Sequence, residues 1–296
     1  MLRSARLLGV VLLAAGSVLA ANIDAARSRA IHPRKEAPAW LDWAQVQRGL
    51  KFYRTHRAIG EILGSTSLIE TYVSVDIAPV LKRTGRLINE PGPRLQETGM
   101  WVMQLISPRK DEAEFIAKNY QKAYELGQVH AGLAASMTAR SLGWDPAVRV
   151  PFNEQAYALV LSTFAWEPVE QMTATQALRP EEEMADVNGY LHLWSVLGYA
   201  MGVDEDLLPK NYERAKEITA VLRKAQYRKA GQAVPDGAQA LVASLLKEQI
   251  REAGKDQPRK GIVEEFAQSI KVSPGLAAAL GLEQDAAGRL ESWIGE

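Results

Sequence analysis

Apolar residues recur every three or four positions over most of this chain, the period of helices that bury one face. The first such run spans Trp40–Leu63, with Trp43, Val46, Leu50, Phe52, Tyr53, Ile59 and Ile62 in helical register, and Gly64-Ser65-Thr66 breaks it. Leu68–Leu87 is a mixed segment around Asp76 and Pro79. Asn89-Glu90-Pro91-Gly92-Pro93 predicts a turn, and Arg94–Ile106 resumes a helix that Ser107-Pro108 ends. Asp111–Leu142 predicts one long helix with an irregularity near Gly127. Asn153 is placed to cap a helix running to Trp166. Pro180 opens another, reaching Gly202, whose acidic first turn Glu181-Glu182-Glu183 complements the helix dipole. Asn211–Tyr227, Asp236–Ala253, Ile262–Ile270 and a segment from Pro274 to the C-terminus supply the rest. No run alternates long enough to make a sheet, and there is no internal repeat. The expected fold is all-α, a single helical domain over residues 39–296 with any site held between helices.

Composition narrows the chemistry. At 296 residues, 47% hydrophobic and 24% charged, the chain can bury one sizeable core. Lys plus Arg and Asp plus Glu both number 35, so no basic excess argues for nucleic acid or an anionic membrane. The absence of cysteine excludes disulfides, thiolate-ligated haem, covalent c-type haem, Fe–S clusters and Cys-ligated zinc.

Arg3 and Arg6 precede an apolar stretch from Leu7 to Ala20, ending Ser17-Val18-Leu19-Ala20. Residues 1–20 read as a secretory signal peptide cleaved after Ala20, with an uncleaved N-terminal anchor as the alternative; the run is short of the ~20 residues that comfortably span a bilayer. Residues 21–38, with His32-Pro33 and Ala37-Pro38, read as an extended lead-in. The expected location is exported, periplasmic or extracellular, with membrane contact only through an uncleaved N-terminus.

Of four histidines, His32 lies in the lead-in and His56 among Arg54, Thr55 and Arg57 on a charged helical surface. His192, between Tyr190 and Trp194 on a strongly apolar helix, reads as a core imidazole. His130 differs, because its neighbours Gly127, Ala131, Gly132, Leu133, Ala134 and Ala135 are small or apolar. An unpaired imidazole buried there costs a few kcal/mol, and the small residues leave space beside it. A flat apolar ligand fills such space, and a histidine Nε2 suits a haem iron. Taken alone, the pattern also fits a structural imidazole. Arg94 and Thr98 shift the balance, since they share a helix face with Trp101 and Leu105. A guanidinium pairs with a haem propionate and a hydroxyl bonds a distal ligand; the plainer readings are a first-turn surface arginine and a back-bonded threonine. No HExxH and no Glu three residues before a histidine is present, which disfavours a zinc protease or a di-iron bundle.

Four blocks follow in order: Arg94-Leu95-Gln96-Glu97-Thr98-Gly99-Met100-Trp101-Val102, Val129-His130-Ala131, Phe152-Asn153-Glu154-Gln155 leading to Thr163-Phe164, and Tyr190-Leu191-His192-Leu193-Trp194 continuing to Gly202 and Asp206-Leu207-Leu208-Pro209. In order and spacing, over roughly residues 45–225, they resemble the MpaB and rubber-oxygenase (latex-clearing-protein) family. The resemblance implies a globin-like helical core with non-covalent haem b, and dioxygen-dependent cleavage of a carbon–carbon double bond in an isoprenoid to carbonyl products. It implies His130 as the axial iron ligand, Arg94 and Thr98 as the haem-pocket pair, and His192 as part of a packing block. Two departures stand out. Gly127 and Ala134 or Ala135 occupy places usually held by arginines, and Glu97 stands where some rubber oxygenases have lysine.

A group opposite His130 would serve as acid or base during the reaction, and the candidates are Glu97, Asp76 and Glu70. Glu97, one residue before Thr98, points about 100 degrees from its face. Asp76 reads equally as a helix-start residue, and the base stays unassigned. The expected substrate is apolar and unsaturated, small or polymeric. The alternatives are an exported haem carrier or gas sensor without turnover, and a haem-free helical scaffold of the same fold.

Overall fold

The computed structural model describes residues 17–229, 232–254 and 257–295. Its helices are α1 (17–25), α2 (Trp43–Thr55), α3 (Ala58–Gly64), α4 (Thr66–Tyr72), α5 (Ile77–Thr84), α6 (Arg86–Asn89), α7 (Pro91–Leu105), α8 (Glu112–Phe115), α9 (Gln121–Ser136), α10 (Glu154–Ala165), α11 (Glu167–Ala174), α12 (Pro180–Met201), α13 (Tyr212–Gln226), α14 (Ala238–Ala253), α15 (Arg259–Val272), α16 (Leu276–Leu280) and α17 (Ala286–Ile294). Among the described residues the only β pairing is a single bridge between Ala30 and Asn153. The fold is all-α, as the periodicity predicts.

The long helix α12 is the axis of the larger core. Pro180 occupies its first turn, where the missing N–H is no loss, and Gly202 ends it with φ 102°. On one flank α2 crosses it at Gly49 and Gly189, where added Cβ atoms would collide with the facing backbone. On the other, α9 crosses at Gly127, where a Cβ would lie 2.7 Å from the Met201 carbonyl oxygen and 3.0 Å from Pro33. Helices α10 and α13 complete this core. A second apolar cluster joins Ile69, Tyr72 and Val73 to α14–α17, so α4 bridges the two layers.

Local chemistry sets the helix ends. Asp42 caps α2 by accepting from Ala44 N at 2.9 Å, and Asn153 caps α10 by accepting from Ala156 N at 2.8 Å. The turn expected at Asn89–Pro93 is instead the entry to α7, because Pro91 is tolerated in a first turn. The expected helix over Asp111–Leu142 is divided. Its irregularity is a π turn at Ile116–Tyr120, not at Gly127. There the Asn119 amide donates to Leu105 O (2.7 Å) and Ser107 O (2.8 Å), and Tyr120 Oη donates to Arg34 O (2.9 Å).

Residues 1–16 of the expected leader lie outside the described residues. Residues 17–20, at the end of the expected leader, are helical, and so are 21–25 where the extended lead-in is expected to begin; Ala26–Ser28 then form a 3-10 turn. Leu19, Ile23 and Ala26 are buried in the larger core, and Gln155 Nε2 donates to Ile23 O at 2.7 Å. No helix among the described residues is long and apolar enough to cross a membrane.

Candidate functional site

Among the longer helices, α7 and α9 are the least covered. On α7 only Leu105 is buried, and on α9 only Ala123 and Gly127. Met100, Met103, Val129 and Leu133 are exposed large apolar residues on these two helices. The helices run antiparallel: Lys122 Nζ stacks 4.3 Å from the Trp101 ring at one end, while at the other the Arg94 charge acts on His130.

His130 sits one turn beyond the Gly127 crossing, its ring 5.8 Å from Phe152 and 5.3 Å, edge-on, from Tyr157. Its Nδ1 is buried without a hydrogen-bond partner. Burial, and then the Arg94 guanidinium, push its pKa down to about 4, the Leu126 carbonyl one turn back opposing them weakly. The imidazole is therefore neutral across ordinary pH, with a lone pair free for a metal. The Tyr157 hydroxyl is also buried and unpartnered, and burial raises its pKa well above the ordinary phenol. On α10, nearly all of which is buried, Tyr157, Val160 and Phe164 remain partly uncovered and form a stripe at helical spacing.

The structure joins Arg94 and Thr98. Arg94 Nη1 donates to Thr98 Oγ1 at 3.1 Å, and Thr98 Oγ1 donates to Arg94 O at 2.9 Å. Thr98 and Phe164 line a cleft of about 850 Å3 between α3, α7 and α14; His130 and Arg94 do not line it. Of the three acid–base candidates, Glu97 adjoins this pair, its Oε2 3.6 Å from Arg94 Nη1, while Asp76 and Glu70 are held by other partners. Glu97 forms a two-pronged pair with Arg86 (2.8 and 2.9 Å), which lowers its pKa. Asp76 is buried under Arg27 (2.8 Å), Arg149 (2.6 Å), Asn153 (3.1 Å) and Gln226 (2.8 Å). Glu70 Oε1 accepts from Arg223 (2.9 Å), Tyr227 (2.6 Å) and Ser273 (3.1 Å), while its Oε2 is buried without a partner. Burial raises the Glu70 pKa, Arg223 opposing.

His192 is at a different kind of place. Its Nε2 accepts the Asp42 backbone N–H at 3.1 Å, and Trp40 packs edge-on at 5.6 Å. His32 is exposed. His56, expected on a charged surface, is half-covered at the end of α2, stacked 4.2 Å from Phe52 and 3.2 Å from Glu183. Among the described residues no group of three or more His, Asp or Glu converges on a bare-metal site.

Residues 73–262 match the family described as ER-bound oxygenase mpaB/B'/Rubber oxygenase, catalytic domain. The chain belongs to this family. The matched span contains Arg94, Thr98, His130 and His192, and also Asp76, but not Glu70. In fold, the chain is similar to a solved structure titled "Structure of Latex Clearing Protein LCP in the closed state", with a TM-score of 0.63, 18% identity, and 88% of this chain and 68% of that one covered. No curated protein matches the chain.

The residues fit a haem in one respect and restrict it in another. A neutral imidazole beside small residues and an aromatic stripe would hold a haem iron, which would supply the dioxygen chemistry. At Gly127 the α9–α12 crossing leaves no room for the arginine usual in the family, and Ala134 and Ala135 supply no charge. Arg94 is left as the candidate partner for a propionate. Phe164 belongs to the third block of the resemblance, while Tyr157 and Val160 carry only a helical spacing that an ordinary core helix shares.

Proposed function

We propose that this protein is a haem-b-dependent oxygenase that uses dioxygen to cleave a carbon–carbon double bond in an apolar, isoprenoid substrate, acting after export. The observation that carries the reading is the His130 ring, held neutral by burial and the nearby Arg94, among small helix neighbours and set against Phe152 and Tyr157. Membership of the MpaB and rubber-oxygenase family supports the reaction type. In this reading His130 holds the iron, Arg94 holds a propionate, and Thr98 presents its hydroxyl at the edge of the cleft. Bound haem supplies the activation of dioxygen. The chain's own part is to keep the imidazole deprotonated, to orient the cofactor and to keep water from the reacting chain with the Tyr157–Phe164 stripe. Glu97, Asp76 and Glu70 are each committed to cations, so none is assigned as the base. That commitment favours a second reading, an exported haem carrier or sensor without turnover.

Oxygen uptake with squalene, polyisoprene latex and farnesylated lipids, followed by mass spectrometry for paired carbonyl fragments, separates the readings. The oxygenase gives uptake and fragments, and Arg94→Ala and Thr98→Ala each lower turnover or haem retention. Haem-loaded protein that consumes no oxygen with any substrate is the carrier or sensor, and folded protein that takes up no haem is a scaffold.

A further inference from the structure

The cleft beside α7 has two unlike ends. From Gly92 to Met103, α7 lines it over about 16 Å at 1.5 Å per residue. One end is apolar, with Leu63, Leu68, Val102, Met103 and Phe164, and the other carries Glu248, Arg251 and Glu252, Glu248 and Arg251 standing beside Gly92. Three glycines, Gly60, Gly64 and Gly99, border it with nothing within 4 Å of where a Cβ would stand. All three lie in helices, where alanine is favoured over glycine by about 0.5–1 kcal/mol, so the empty space is not a requirement of the backbone. A volume of about 850 Å3 is within the ordinary range for one small-molecule ligand.

The charged end specifies a head group. Arg251 Nε donates to Glu248 Oε2 at 2.8 Å, its Nη2 pairs with Glu248 Oε1, and Glu252 lies 4.0 Å away. The one cation among the described lining residues is thus shared by two carboxylates, leaving this end formally at minus one. An anionic head would meet carboxylates without a free cation, whereas a hydroxyl has acceptors in Glu248 and Glu252.

We propose that this cleft binds a single-chain amphiphile of bounded length with a neutral, hydroxylated head, the head at Glu248–Arg251 and the tail directed to Thr98 and Phe164. This deepens the oxygenase reading and rests on it for the ligand's role as substrate, though not for its binding. In this arrangement the tail, not the head, lies at the two cleft residues linked to the His130 cluster: Thr98, bonded to Arg94, and Phe164, on the same α10 stripe as Tyr157.

The test is equilibrium binding to the full chain, with farnesol, farnesyl diphosphate and squalene as probes. Farnesol is expected to bind saturably at one per chain, at least tenfold tighter than the diphosphate. Gly99→Leu and Gly64→Leu, which fill the cleft, are expected to weaken farnesol at least tenfold while the far-ultraviolet circular dichroism and any haem absorption stay unchanged. Glu248→Gln is expected to narrow the gap between farnesol and the diphosphate. Tighter binding of the diphosphate, equal binding of squalene, or folded glycine variants that bind farnesol as before would each overturn the proposal. Haem-loaded protein that binds no farnesol sinks this proposal alone; farnesol binding by protein that never takes up haem sinks the oxygenase reading alone.

Discussion

Two regions of this molecule bury ionisable side chains, and they treat them in opposite ways. Around Arg223, the fold gathers Glu70, Glu167 and Glu170 from α4 and α11 onto one guanidinium, with Glu170 at 2.6 Å. Asp76 is likewise wrapped by two arginines and two amides. At His130 the fold brings a cation, Arg94, near an imidazole that burial keeps neutral. Buried charges persist when paired, and a buried polar atom left alone costs roughly 1–3 kcal/mol. The carboxylates are thus consumed in holding helices together, while the His130 imidazole stays neutral and joins none of these ion pairs. Abundant chemistry in a buried cluster is therefore a poor guide to the working site here.

The largest effect is expected at Arg223. Arg223→Met should cost about 3–5 kcal/mol, because it strands buried carboxylates. Burial and the neighbouring Glu70 push the Glu167 pKa up to about 8 from an ordinary 4.5, despite Arg223. The folded state therefore holds that proton more tightly than the unfolded chain. Its contribution is full below about pH 4.5 and is lost as pH rises through about 8. Urea midpoints at pH 5 and pH 8 check both statements, the variant's deficit being larger at pH 8. An equal deficit at the two pH values would break the contrast between the regions.

A smaller effect is expected where the site departs from its family. Gly127→Arg places a Cβ 2.7 Å from the Met201 carbonyl and should destabilise by about 1–3 kcal/mol, read by thermal melting. A variant as stable as the parent, with more haem retained, would mean that α9 and α12 separate on loading.

Much of this was legible in sequence. The caps at Asn153 and the Pro180–Gly202 helix follow from residues whose local chemistry admits few alternatives. The Arg94–Thr98 contact follows from their i,i+4 spacing on one helix. What sequence does not reveal depends on partners distant along the chain. The π turn is fixed by Tyr120 reaching Arg34 and Asn119 reaching Leu105. The commitment of Glu70 needs Arg223 and Ser273, and that of Asp76 needs Arg27 and Arg149. Gly127 marks a site departure in sequence, while the crossing that forces it exists only once Met201 is in place.

The most direct measurement compares the two apolar-helix histidines in haem-supplied protein. Acid acetone extraction and pyridine haemochrome analysis should give close to one non-covalent haem per chain. His130→Ala should abolish the Soret band with the helical content unchanged. His192→Ala, which loses the Asp42 contact, should keep the band and cost about 1–3 kcal/mol of stability. A folded, colourless parent protein, or a Soret band that survives loss of His130 and disappears with His192, would contradict the account.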